Sequence, residues 1–294
     1  EKYGSRYDFA LGSIIDTDFI DRLVDQFQPD VIVNFAAESH NSRAILNPTI
    51  FFQTNLIGTQ TLLQIAHKHN VSHFHHISTC EVYGDLALDS DATFNELSPY
   101  RPRTPYNASK AGADHAVSAY YETFGLSVTI SICANNYGPY QNVEKLIPLF
   151  TTRAICNQPL TLYRSSQNKR EWLAVEDHCR AIDLVIRSGK RGEKYNIGSG
   201  VEKSVEEIAE IVLRTLNKPN SLKTYVPDRP GHDRRYLLDS TKVRRELGWQ
   251  PEIDFEDGLR DTIAWYVDNP RWWQAAQHPQ IREDQWASKQ KPNS

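Results

Sequence analysis

The chain has 294 residues, 39% hydrophobic and 24% charged, which excludes a disordered tail, a fibrous repeat and a scaffold too small to bury a core. Its formal net charge of −4 offers no general basic field, so neither a nucleic acid nor a membrane is an expected partner, and any phosphate must be gripped locally. The four cysteines, Cys80, Cys133, Cys156 and Cys179, form no CxxC pair, which argues against a bound metal and a disulfide framework and for a reducing cytoplasm. No apolar run approaches the roughly 20 residues that span a bilayer, and the opening EKYGSRYDFA lacks a signal-peptide layout. Methionine is absent even at position 1, so the sequence is expected to begin inside a longer gene product.

Strand-like and helix-like segments alternate from the start. YDFALGSII at 7–15 reads as a strand, TDFIDRLVDQF at 17–27 as a helix and VIVNFAA at 31–37 as a strand, in βαβ order. Asn47-Pro48 opens a long helix through Phe51, Leu56, Leu62 and Ile65, with Pro48 suited to its first turn. HFHHIST at 73–79 is the next strand, followed by a loop to Arg103, a helix holding Tyr106 and Lys110, and the strand SVTISICA at 127–134. Strands this apolar, separated by helices, predict an α/β fold with a doubly wound parallel sheet covered on both faces.

Past Pro139 the pattern shortens. A helix from about 144, a strand at Leu160–Tyr163, a helix from about 177 and a helix from Ser204 are expected, the last opened by a Ser204/Glu207 capping box. A final amphipathic helix runs from about Phe255 to Val267, and the tail from Asn269, with Trp272 and Trp273, reads as irregular. The second half is therefore expected to form a smaller mixed α/β domain laid against the sheet.

Tyr106 and Lys110, in TPYNASK, lie four apart and project from one helix face. A neighbouring cation favours the phenolate and lowers a phenol from its usual pKa of ~10, which equips Tyr106 to take a proton from an alcohol while hydride leaves the same carbon. Ser78-Thr79-Cys80-Glu81-Val82-Tyr83-Gly84 stands at the end of a strand, where open α/β sheets bind ligands.

Together these residues resemble the extended short-chain dehydrogenase/reductase family, and more closely its nucleotide-sugar 4,6-dehydratases of the dTDP-glucose type. The resemblance runs from about residue 7 to residue 268. It rests on AAESH at 36–40, HHISTCEVYGD at 75–85, PYNASKAGADH at 105–115, NNYGPYQNVEKLIP at 135–148, WLAVEDH at 172–178, YNIG at 195–198 and DRPGHDRRY at 228–236. It implies a Rossmann-like NAD-binding domain over 1–140, completed by part of 164–190, and a mainly nucleotide-sugar-binding domain over 141–294.

The resemblance also implies roles. Tyr106, with Lys110 beside it, removes the 4-hydroxyl proton of a nucleotide-hexose as hydride passes to NAD. The resulting ketone acidifies C5–H, and Glu81 removes that proton. Water then leaves from C6 and the hydride returns there. Thr79 is expected at the sugar O4 and Asn135 along the hexose. Ser13, Ile14, Phe35, Ala36, Ala37, Glu38, Ser39, Thr54 and Asn136 match cofactor-contacting positions. On the substrate side stand Ser39, Lys145, Leu146, Thr161, Tyr163, Arg170, Asn196, Arg229 and His232, where a guanidinium fork suits a pyrophosphate. Members of the family usually dimerise through two helices, here 47–69 and 104–124, so a homodimer is expected.

The sequence also departs from its family. Cys80 stands where an aspartic acid usually protonates the departing hydroxyl. A thiol of pKa ~8.5 keeps its proton at neutral pH but donates weakly. Slower 4,6-elimination, a 5,6-elimination, a catalytically silent nucleotide-sugar-binding homologue and a small buried filler all stay open. Ser42, Ser13, Arg164, Glu171 and Ala174 differ too, which points to altered sugar or nucleotide preference. No GxxGxxG precedes the first strand read here, so an N-terminal strand and its glycine-rich turn are absent from the sequence, and without them NAD would be held weakly.

Overall fold

The computed structural model of the protein describes residues 6–275. Asp16 accepts a hydrogen bond from the Phe19 N–H (3.0 Å) and caps α1 (Thr17–Phe27). After β1 (Val31–Asn34) and α2 (Asn41–Leu46) comes one unbroken helical run: α3 (Pro48–Phe51), a π-helical stretch (Phe52–Gly58) and α4 (Thr59–Lys68). β2 (His73–Thr79) ends in a 3₁₀ turn (Cys80–Tyr83), and α5 (Pro105–Phe124), β3 (Val128–Cys133) and β4 (Asn135–Tyr137) close the first half. The second half holds α6 (Leu146–Ile155), β5 (Leu160–Tyr163), β6 (Lys169–Ala174), α7 (Val175–Ser188), β7 (Lys194–Ile197), β8 (Glu202–Ser204) and α8 (Val205–Thr215). β9 (Lys223–Val226), α9 (Thr241–Leu247), α10 (Phe255–Asp268) and α11 (Pro270–Ala275) follow. Among the described residues no helix is long and apolar enough to cross a membrane.

β1, β2, β3 and β7 form one sheet in that order, every pair parallel. Successive strand residues point to opposite faces, and β2 shows how both are covered. Ser78 turns to α5, where its hydroxyl donates to Asp114 (2.7 Å), and His76 meets Lys110 on the same helix. His75 turns the other way, bonded across to Thr129 and Ser131 of β3, on the side where α7 packs against β3 and β7. This first core gathers Phe74, Val128, Ile130 and Ile132 with Ala181, Val185, Tyr195, Val243 and Trp249. A second core of Tyr137, Ile147, Phe150, Leu162, Ile208, Val212, Leu259 and Ile263 joins α6, α8 and α10 to β4-β6-β8 and the pair β5-β9. The chain returns to the first core well beyond 190, through β7 and α9, so residues near 140 mark no clean division.

Three expectations are corrected. The segment 7–15 is not a strand: Tyr7, Phe9 and Leu11 alternate as a strand would, yet they are exposed, and the only described partner of β1 is β2. A strand without a ladder partner leaves its backbone groups unpaired. The long helix from Pro48 contains a π-helical stretch, where the Thr59 hydroxyl donates to the Asn55 carbonyl (2.6 Å) and takes up one freed acceptor. The segment from Asn269 is helical through α11, because Trp273 is buried and its indole N–H donates to the Tyr266 carbonyl (2.8 Å). Residues 276–294 of that tail lie outside the described residues.

Candidate active site

Two adjoining clefts open at the carboxyl ends of β1, β2 and β3, the position at which open parallel sheets bind ligands. The inner one, about 310 Å³, is lined by Phe35, Ala37, Ser78, Thr79, Tyr106, Lys110, Cys133 and Asn136. The outer one, about 210 Å³, is lined by His40, Asn41, Thr161, Tyr163, Arg170, Arg229 and His232. Ser39, Glu81, Asn135, Lys145, Leu146 and Trp172 border both.

Helix capping places the inner pair. Thr104 caps α5 by accepting from the Asn107 N–H (3.2 Å), and Pro105 takes the first helical position, which puts Tyr106 in the first turn and Lys110 one turn on. Tyr106 is buried, with the edge of its ring against Phe51 (6.3 Å, 77°). Lys110 is buried too. Its ammonium donates to the Ile77 carbonyl (2.7 Å) and lies 3.2 Å from His76 Nε2, so it is spent on β2 and not on the phenol. Burial, opposed by Asp114, pushes Lys110 down to about 8. For Tyr106 the sequence pair predicts a lowered phenol, and the structure reverses this. Burial, then Glu81 and Cys133, pushes it well above its ordinary value, with a hydrogen bond to Thr79 acting the other way.

Glu81 sits in the 3₁₀ turn capped by Thr79, whose hydroxyl oxygen accepts from the Glu81 N–H (3.3 Å). Asn41 donates to Glu81 Oε2 (2.9 Å). Cys80, the next residue back, points away: it is 2% exposed, packs in the first core with Val82 and Tyr83, and lines neither cleft. Burial, then the Glu81 charge, pushes its thiol well up.

In the outer cleft Arg170 is 6% exposed and meets no carboxylate at ion-pair distance among the described residues. Neutral acceptors hold it instead: the Asp233 carbonyl (2.9 Å), the Lys169 carbonyl (2.7 Å) and His232 Nε2 (3.0 Å), with its guanidinium over the Tyr236 ring (4.6 Å). Since Nε2 accepts, the proton of His232 is on Nδ1, facing Ser165 Oγ (3.2 Å) and Asp228 (3.3 Å). Burial, then Arg229 and Arg170, pushes His232 down to about 3, so the ring is neutral. Tyr163 stands edge-on to it, and Thr161 accepts from Arg153 (2.8 Å). Lys145 donates to the Ser39 carbonyl and hydroxyl (both 2.9 Å). Asn136 is fixed by His178, whose Nδ1 donates to its Oδ1 (2.9 Å).

The structure thus gathers most of the expected residues, but not all of them. Asn196 is fully buried on β7, where it accepts from the Tyr83 hydroxyl (2.8 Å) and donates to the Phe94 carbonyl (2.9 Å), away from both clefts. Ser13 is exposed and Ile14 packs over Gly58, whose bare Cα leaves room for it. Ala36 and Glu38 shape the loop through their N–H groups, bonded to Asn34 (3.2 Å) and Asn55 (2.8 Å), and Thr54 is half-buried on the π-helical stretch. Sequence reasoning missed His40, Asn41, Trp172 and His178. His40, Trp172 and His178 stood inside quoted motifs, whereas Asn41 reaches Glu81 only because α2 exists.

Comparison with known proteins places this architecture. The sequence pattern of the family described as GDP-mannose 4,6 dehydratase matches residues 1–262. A dTDP-glucose 4,6-dehydratase from Haemophilus influenzae is 46% identical over 284 residues, covering 90% of this chain and 84% of that protein. A dTDP-glucose 4,6-dehydratase from Streptomyces venezuelae, solved with NAD bound, superposes with a TM-score of 0.89 at 46% identity, covering 92% of this chain and 83% of the other. One from Bacillus anthracis, in complex with NAD, gives 0.85 at 41% identity, covering 93% and 84%.

Proposed function

The chain belongs to the GDP-mannose 4,6 dehydratase family, and from that membership we infer that it is an NAD-dependent hydro-lyase that converts dTDP-glucose to dTDP-4-dehydro-6-deoxyglucose and water. The observation that carries this reading is the placing of a buried Tyr106/Lys110 pair and a carboxylate, Glu81, on the walls of two joined clefts. The inner cleft fits the nicotinamide end of NAD. Phe35, Ala37, Ile77 and Ala134 give it apolar walls, Thr79 and Asn136 add polar groups, and Lys110 puts a cation at its floor. When bound, NAD supplies the acceptor for the hydrogen at C4 and the donor that later returns it to C6.

The chain's own residues handle protons and orientation. Tyr106 takes the O4 proton, its raised phenol brought back down by the positive charge that bound NAD would place beside it, with Thr79 holding the same oxygen and Asn135 the hexose. Glu81 takes the C5 proton. Because Cys80 faces the core, the Glu81 carboxyl, once protonated, is also the group that delivers a proton to the departing O6. Arg170, Arg229 and Lys145 receive the diphosphate. A buried guanidinium held by neutral acceptors keeps its charge available to an anion. Exposed Ile50, Ile57 and Phe124, on α3, the π-helical stretch and the end of α5, suit the expected homodimer, and the free thiols of Cys156 and Cys179 suit a cytoplasmic protein. Incubating the protein with NAD and a panel of nucleotide-glucoses, and reading products by mass, should show loss of one water from the dTDP sugar. Unchanged substrate mass across the panel would overturn the reading.

A further inference from the structure

We propose that Asn41, anchored by Thr104, is a positioning residue that fixes the Glu81 carboxylate so that Oε1 alone is presented for proton abstraction from the sugar. The inference rests on the reading of Glu81 as the C5 base. The network leaves one assignment of the Asn41 amide. Thr104 Oγ1 already accepts from the Asn107 N–H, so its own proton is free, and it lies 2.8 Å from Asn41 Oδ1. The other end of the carboxamide is therefore the NH₂ group, 2.9 Å from Glu81 Oε2. Oε1 has no hydrogen-bond partner among the described residues, and Glu81 lines both clefts.

α2 also sets the spacing between the two proton acceptors. Asn41 and Ala44 are three apart on one face of this short helix. Asn41 bonds Glu81, while Ala44 packs with Phe51 against Tyr106. Thr104, at the far end of the relay, is the N-cap of the helix whose first turn carries Tyr106. The step served is simple: the C5–H bond breaks, its proton passes to Oε1, its electron pair becomes the C4–C5 double bond, and the C4=O π pair moves onto O4 to give the enolate.

The test uses the NAD-loaded protein with dTDP-glucose and its C5-deuterated form. Asn41→Ala and Thr104→Val should each lower kcat roughly 10–100-fold, the worth of one hydrogen bond to a charged group, leave KM nearly unchanged and raise the C5 deuterium isotope effect. Thr104→Ser should recover what Thr104→Val loses, and the double variant should be no slower than Asn41→Ala. A merely structural role would lower thermal stability without moving the isotope effect. An unchanged isotope effect in Asn41→Ala would overturn the proposal. Failure of the functional reading shows separately, as no product from the unmodified protein. Even then the Asn41 side-chain amide resonances, in ¹⁵N NMR of the substrate-free protein, should shift in Thr104→Val and in Glu81→Gln, and unshifted resonances would refute the relay.

Discussion

The two clefts share six bordering residues but are built differently. Inner-cleft groups stand on regular elements: Thr79 at a strand end, Tyr106 and Lys110 on the opening turns of α5. The buried polar partners behind them, His76, Asp114 and Ser109, leave little rotational freedom. The outer cleft is assembled from β5, β6 and the turn over 228–232, and its buried cation Arg170 is held by carbonyls and a neutral imidazole. The contrast separates bond-making from grip. On the reading proposed above, groups fixed on regular elements serve chemistry, whereas Arg170, a cation without an acid partner, serves an anion.

The division predicts that inner changes strike kcat and outer changes strike KM. Tyr106→Phe removes the group proposed to take the O4 proton, and kcat should fall by roughly 10²–10⁴-fold with KM nearly unchanged. A steady-state assay showing near-normal turnover would break the inner half of the comparison.

Glu171 tests whether the two regions are one body. Its buried carboxylate on β6 accepts from the Gly200 (2.7 Å) and Leu238 (2.9 Å) N–H groups, pinning the chain after β7 and before α9 to the second sheet. Burial, opposed by those N–H groups, pushes it up to about 7. A carboxyl raised above its unfolded value favours the fold below that value, and the contribution is lost as pH rises towards the folded one. Urea unfolding between about pH 4.5 and 7 should therefore show stability falling by up to about 3 kcal/mol, and Glu171→Gln should flatten the slope. An unflattened slope in that variant would place the titrating group elsewhere.

In the outer cleft, Arg170→Lys keeps the charge and removes the fork, so KM for dTDP-glucose should rise roughly 10–100-fold with kcat little changed. A fall in kcat alone would assign Arg170 to the chemistry. The smallest effect is expected at Cys80. Cys80→Ala removes a small buried side chain and should cost about 1 kcal/mol of stability while turnover holds. Lost turnover at intact stability would move Cys80 from the core into the cleft.

Sequence was most informative where local rules and local geometry coincide. The Ser204/Glu207 capping box is present with both bonds, β5 spans the expected Leu160–Tyr163, and the TPYNASK pair does share a cleft. It was least informative where an outcome depends on distant partners. Alternation at 7–15 mimics a strand but says nothing of a ladder neighbour. Burial of Tyr106 outweighs a lysine four residues on, because that lysine is drawn to Ile77 and His76 of β2. Asn41 has no motif of its own, and its contact with Glu81 spans forty positions.

The π-helical stretch carries a consequence for hydrogen exchange. Asn34 donates to Thr59 (3.0 Å), Thr59 to the Asn55 carbonyl (2.6 Å), Asn55 to Ser109 (2.8 Å) and Ser109 to the Tyr106 carbonyl (2.7 Å). All four side chains are buried, so parting any link strands a polar group without water, and the links should open together or not at all. The amide of Glu38, bonded to Asn55, lies in a loop but should exchange with deuterium as slowly as the first turn of α5. Ser109→Ala, on a different helix, should hasten exchange at Glu38 and at that turn alike, making the cofactor-side loop and the start of α5 a single cooperative opening unit.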